Sequence, residues 1–577
     1  MYLFHLFRSF LPLHNPIGFG ASDFIEFALA ALLVILLIGG AAIRPGARRL
    51  AERTGWSMLV IGALAAVLRL ALLPHFPVPI PAGADDFSYL LLGDTLAHFR
   101  LANPVHPMHD FFETNFVLQS PSYSSIYPLG PALALAIGQM LFGSPWVGVL
   151  LSASLVCALC YWMLRGWTTP GWAFLGGLLA VCTFGPLSTW MNTYWGGAVS
   201  AIAGCLVIGS LPRLIALGRT CEAVLLGAGL GLQLLSRPYE SIFLDLAVLL
   251  FLAPSLRNPG RRRRLIRLAR PAALAFLPAV LLLLLQNHAV TGEWTKLPYM
   301  LSRYRYGVPT TFTFQANPEP HGDLAPNQWL YYQGQAAVHG TQLETVGRYF
   351  SRLISRLPFA GFFLLTPLLL AIPAFLLALR QYRFAWLAIT LALFALGSNF
   401  YPYFFPHYLA AVACLFILAA IEGMARLSHW TLRAQPAGRG AVLCLLALCG
   451  AHFLFWYSLH AIGDPDVLRA MDRYQSWDAI PLGDAEGRIA VRDQLAEQFG
   501  KQLVFVRYWP RHGYHEWIHN AADIDNAPVV WAQDLGDRDA ELLRYYRDRT
   551  AWLLEPDAHP PRLTPFKPRV LQFEQVR

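Results

Sequence analysis

The sequence predicts an all-α polytopic membrane protein that carries a small C-terminal α/β domain outside the membrane. Three observations predict it. Of 577 residues, 56% are hydrophobic and only 14% charged, where a soluble protein carries about 25% charged residues. Apolar runs long enough to cross a bilayer, about 20 residues each, recur from Phe24 to Leu459. Beyond residue 461 the chain turns polar and its apolar runs shrink to strand length.

Twelve membrane spans follow from the runs, at 24–43, 57–74, 146–164, 171–190, 197–216, 221–236, 240–255, 270–289, 358–379, 384–398, 407–425 and 440–460. The first run has the length of a full span, so it reads as an anchor and not as a cleavable leader. Arginine sets the orientation. Loops 44–53 and 256–270 hold four and seven basic residues, while the long segment 75–145 holds only Arg100 beside five acids. By the positive-inside rule the arginine-rich loops are cytoplasmic, which places segment 75–145 and the C-terminal tail on the opposite side. The run Arg261–Arg264 then reads as a topology anchor on anionic lipid. The net charge of +9 comes from these short loops and implies no nucleic-acid partner.

Within 75–145 two helix-like stretches, 86–99 and 128–142, read as helices lying in the membrane interface. Counting the second as a span would invert every later loop, including the one with seven arginines. A second outer loop, 290–357, is rich in aromatic and basic residues, among them Trp294, Lys296, Tyr299, Arg303 and Arg305. In the tail, strands are expected at 502–507, 528–532 and 551–554, with helices at 489–500 and 537–548. No internal repeat is visible. All eight cysteines fall in or beside apolar segments, so a disulfide framework is not expected. Cys157-x-x-Cys160 reads as packing inside a helix.

Ionisable groups beside hydrocarbon are costly and mark function. The pair Asp85-Asp86, in Ala82-Gly83-Ala84-Asp85-Asp86-Phe87-Ser88-Tyr89, lies just past an apolar helix. Here the chain resembles the C-type (GT-C) integral membrane glycosyltransferase superfamily, which includes protein O-mannosyltransferases and the lipid A aminoarabinose transferase. In those families an Asp followed by an acid opens the first extracytoplasmic loop. The resemblance extends to the interfacial helices, to the turn Tyr127-Pro128, and to Pro402-Tyr403-Phe404-Phe405-Pro406-His407-Tyr408, which looks like the superfamily's late motif. It covers about residues 57–460. Three departures stand out: Tyr127-Pro128 where one relative has Lys-Pro, no acid in Trp190–Trp195, and the additional first span.

The resemblance implies transfer of a sugar from a polyprenyl-phosphate donor to a hydroxyl of a lipid, glycan or protein at the extracytoplasmic face. The implied location is a bacterial cytoplasmic (inner) membrane. The chemistry is consistent with one base. A phosphate, whose second pKa is about 6, leaves without a general acid, so a single carboxylate suffices, unlike a glycosidase. Asp85 is the candidate base, and Asp86 would orient the acceptor or tune Asp85. Tyr89 lies four residues on and shares the helix face of Asp85. Such a displacement inverts the anomeric centre. Arg237, Lys296, Arg303, Arg305 and His407 are candidates for the phosphate, where arginine offers a fork of donors; snorkelling at the interface is the plainer alternative. Residues 1–56 then form an anchor and a cytoplasmic loop, 57–461 the membrane catalytic domain, and 462–577 an extracytoplasmic domain.

Other signals stay open. A divalent metal is possible, with His106, His109 and Glu113 at the spacing of one helix face, although Pro104 and Pro107 interrupt a helix there. His515-Glu516-Trp517-Ile518-His519 matches the zinc-protease pattern, but it follows Pro510 and Gly513 and no long helix surrounds it. Asp245, inside a span, keeps a transporter or flippase for a lipid-linked substrate as the alternative.

Overall fold

The computed structural model describes residues 21–39, 44–341, 344–463, 486–510, 512–513 and 515–567. Seven described helices are long and apolar enough to cross a membrane: Thr54–Ala71, Pro145–Leu164, Ala198–Ala216, Pro238–Leu256, Pro259–Thr291, Pro406–Leu427 and Ala437–Ile462. Each matches an expected span. Four more expected spans are shorter apolar helices, Phe24–Ile38, Pro170–Phe184, Thr220–Ser236 and Tyr382–Ser398. The span expected at 358–379 is broken: Val346–Phe362 and Thr366–Arg380 meet at 113°. Pro358, Pro367 and Pro373 each sit in the first turn of a new short piece, where a missing N–H is tolerated, and none could lie inside one continuous helix without breaking it. The protein is therefore a multi-pass membrane protein.

The chain forms two compact units, each from three segments. The first comprises 1–79, 146–282 and 344–482. Its helices approach closely through small residues, as membrane helices do. A Cβ at Gly204 would lie 1.8 Å from the Ala411 carbonyl oxygen, and one at Gly423 would lie 2.2 Å from that of Ala371. Arg69, fully buried near the end of Thr54–Ala71, donates to Asn192 Oδ1 at 2.8 Å and to the carbonyls of Phe76 and Pro77 at 3.0 Å each. Its donors satisfy backbone carbonyls where the helix stops and so fix the path of the chain as it leaves.

The second unit comprises 80–145, 283–343 and 483–577. The stretches expected to be interfacial are the helices Ala84–Ala97 and Leu129–Phe142. Strands β1 (Val117–Leu118) and β2 (Ser124–Ser125) pair antiparallel between them. A four-stranded sheet follows from the C-terminal segment: β3 (Lys501–Val506), β4 (Val529–Gln533), β5 (Arg549–Glu555) and β6 (Arg562–Pro565). Its order is β4-β3-β5-β6, with the first three parallel and β6 antiparallel on the edge. Alternation along β3 splits its side chains between two cores. Leu503 and Phe505 pack with Phe111, Phe112 and Val117 of the first segment. Val504 and Val506 pack with Val491, Leu495, Trp517 and Ile518. One face of the C-terminal sheet is thus covered by chain that precedes it by about four hundred residues, because a largely parallel sheet needs cover on both sides.

Candidate active site

Asp85 and Asp86 sit in the first turn of Ala84–Ala97, where a helix terminus favours negative charge. Each residue from Asp85 to Tyr89 has a defined partner. Asp85 Oδ1 accepts the Tyr127 hydroxyl hydrogen bond. Burial, and then the Asp85 carboxylate beside it, push the Tyr127 hydroxyl well above its ordinary range, so it remains the donor. Asp86 is buried, and its Oδ2 accepts the Ala82 N–H at 3.4 Å. Phe87 stacks on His519 with centroids 4.1 Å apart. Ser88 donates to the Phe116 carbonyl at 2.6 Å and meets Ser125 Oγ at 2.7 Å. Tyr89 stacks on Tyr127, centroids 4.3 Å apart and 10° from parallel. Asp85, Tyr89 and Tyr127 are thereby one cluster. The sequence marks Tyr127 as part of the turn Tyr127-Pro128 and as the place where one relative has lysine, not as a partner of Asp85.

The basic candidates divide between the units. In the second unit, Lys296 pairs with Glu293 at 3.2 Å. Arg303 donates to the carbonyls of Pro309 and Thr310 at 3.2 and 3.3 Å, and Arg305 donates to that of Ser120 at 2.6 Å. These contacts fasten the second loop to itself and to the first. In the first unit, Arg237 donates to buried Glu240 at 3.3 Å and lies 4.8 Å from the Tyr408 ring centroid. His407 is buried beside Phe405, Trp195 and the same Tyr408 ring. Arg237 and the late motif thus meet at Tyr408.

The three metal candidates have three different sets of partners and do not converge. His106 Nε2 lies 3.1 Å from Asp525 Oδ1, and its Nδ1 accepts the Met108 N–H at 2.9 Å. His109 lies 3.2 Å from Asp110. Glu113 accepts from Tyr306 and Gln328 at 3.2 and 3.0 Å. Its carboxyl is raised to about 6 by burial, against the pull of those two hydrogen bonds. No cluster of three His, Cys, Asp or Glu side chains suited to a metal ion occurs among the described residues.

The His515–His519 segment is not helical, and Gly83 and His515 pair as an antiparallel bridge. Glu516 is buried, and its Oε1 accepts from the Tyr508 hydroxyl at 2.5 Å and from the N–H groups of Trp517 and Ile518 at 3.1 and 3.2 Å. Oε2 accepts from the Asn115 N–H and Nδ2 at 3.4 and 3.2 Å. This carboxylate organises backbone.

Fold and site define a multi-pass membrane protein that carries a carboxylate pair at a helix start in its second compact unit. Among solved structures, the chain is similar to ArnT from Cupriavidus metallidurans in the apo state, with TM-score 0.48 and 13% identity over 87% of this chain and 93% of that one. The same protein bound to undecaprenyl phosphate gives TM-score 0.49 and 12% identity over 87% and 93%. The Archaeoglobus fulgidus oligosaccharyltransferase complex with Zn and sulfate gives TM-score 0.42 and 13% identity over 86% and 67%. No protein-family model and no curated protein matches the sequence.

Proposed function

We propose that the protein is a C-type integral membrane glycosyltransferase that moves a sugar from a polyprenyl-phosphate donor to a hydroxyl of a lipid, glycan or protein acceptor. The second unit, with its C-terminal domain, faces outward from a bacterial cytoplasmic membrane in this reading. The observation that carries it is Asp85 in the first turn of its helix, gripped by the Tyr127 hydroxyl. Asp85 takes the proton of the acceptor hydroxyl as the oxygen attacks the anomeric carbon. The bond from that carbon to the phosphate oxygen breaks with its electron pair on the phosphate, and the configuration inverts. Tyr127 holds the carboxylate in place, and Asp86 braces the turn through Ala82. Lys296, Arg303 and Arg305 of the same unit are contacts for donor or acceptor, and Arg237 and His407 are separate candidates for a phosphate group.

The test compares glycan and lipid profiles of cells carrying wild type, Asp85→Asn or Asp245→Asn. Asp85→Asn abolishes transfer while insertion and folding persist, and Asp245→Asn leaves it intact. The opposite pattern would replace the enzyme by a transporter or flippase.

A further inference from the structure

We infer that the C-terminal domain is a positioning element of the candidate active site, with Arg488 as the residue that holds the acidic turn in place. The inference rests on Asp85 being the base, and it concerns the two residues that lead into the helix. Ala82 has both of its backbone groups engaged. Its N–H goes to Asp86 Oδ2 at 3.4 Å, and its carbonyl accepts the Glu516 N–H at 3.2 Å and an Arg488 Nη2 hydrogen at 3.4 Å. Gly83 pairs with His515. The chain entering the acidic turn is therefore tied by an antiparallel bridge to a segment of the C-terminal domain.

Arg488 joins these contacts. Nη2 also donates to the Glu516 carbonyl at 2.5 Å, and Nε donates to Glu486 at 2.7 Å. The guanidinium lies 4.3 Å from the Trp517 ring centroid and 5.2 Å from that of Phe87, one residue after Asp86. The side chain is buried. Desolvating an arginine is costly even beside Glu486, and an apolar residue would fill a slot between two rings at lower cost. A planar guanidinium that donates Nη2 to two carbonyls and Nε to Glu486 while stacking on aromatic faces is specific to arginine, and lysine cannot reproduce it. The residue type thus points to alignment of the carbonyls of Ala82 and Glu516. With Tyr127 holding Asp85 and Arg488 holding Ala82, the turn is gripped from both ends.

The experiment uses the full-length protein in native membranes, which carry their own polyprenyl-phosphate sugars, and the same protein purified in detergent. Arg488→Met keeps bulk and loses the fork, Arg488→Lys keeps only the charge, and Arg492→Met on the same helix is the control. In both Arg488 variants, transfer in membranes falls at least tenfold and the acidic limb of the pH–rate profile moves. Amide exchange at 84–88 speeds up at least tenfold, while β3 and β5 exchange as in wild type. Arg492→Met changes none of these. Full recovery with lysine, or wild-type exchange at 84–88 in Arg488→Met, overturns the inference, as does faster exchange with unchanged transfer. Should β3 and β5 loosen equally, Arg488 is a general stabiliser and the inference also falls. Retained transfer in Asp85→Asn sinks the base assignment instead, and the exchange data then decide alone whether this domain holds the turn.

Discussion

Replacing Glu516 by glutamine tests the joint between the two distant segments of the second unit. The carboxylate accepts five hydrogen bonds, three on Oε1 and two on Oε2. A glutamine keeps its carbonyl oxygen toward Tyr508 and the two backbone donors, which leaves its NH2 facing the N–H and Nδ2 of Asn115. Both Asn115 donors then lose their acceptor in a buried place. A hydrogen bond to a charged group contributes about 1.5–3 kcal/mol, and a stranded buried donor costs about 1–3 kcal/mol. At 3.2 and 3.4 Å the two contacts belong at the low end, so the loss is about 2–4 kcal/mol. Pulse proteolysis of the detergent-solubilised protein in urea reads this directly. With a slope of about 1–3 kcal/mol per molar, the cleavage midpoint in the second unit drops by about 0.7–4 M. A midpoint within about 0.2 M of wild type would refute the assignment of Glu516 as an organising carboxylate.

Glu113 adds a pH dependence of definite sign. Its carboxyl is raised from 4.5 to about 6 in the fold, so the folded state holds its proton more tightly than the unfolded chain. The associated stability is full below about pH 4.5 and is lost as pH rises through about 6, at most about 2 kcal/mol; Glu113→Gln flattens that slope in urea midpoints measured from pH 4 to 8. Gly204→Ala sets helix propensity, worth about 1 kcal/mol in favour of alanine, against a Cβ 1.8 Å from the Ala411 carbonyl oxygen. The clash wins, and the thermal midpoint in detergent falls; a rise would show that the helices part without cost. Tyr127→Phe keeps the stacking on Tyr89 and removes the donor to Asp85. Transfer in membranes falls at least tenfold and the acidic limb of the rate profile moves to higher pH, whereas an unchanged profile would remove Tyr127 from the site.

The apolar helices were legible because burial in lipid demands continuous apolar composition, which local sequence carries in full. Strands β3, β4 and β5 were legible for a related reason, since each is a short apolar run between polar turns. Edge strand β6, with Pro560, Pro561 and Pro565 in or beside it, has no such run. The break near residue 363 was spelled out by three prolines that hydropathy alone does not weigh. The acidic pair could be singled out from position and charge, but its partners could not. Tyr127, Arg488 and Glu516 act through contacts 42, 406 and 401 residues away in sequence, and no local pattern encodes a contact of that range. Glu516 even looked like part of a zinc motif, because a pattern of residue types carries no information on backbone shape.

The separation of 406 residues between Ala82 and Arg488 has a consequence for biosynthesis. At about 5–20 residues per second, the ribosome delivers the arginine roughly 20–80 s after the acidic turn has emerged. Throughout that interval the nascent polypeptide carries its carboxylates without their distant support. A message cut short before codon 488 yields a chain that lacks this contact, so the support of the turn depends on full-length translation.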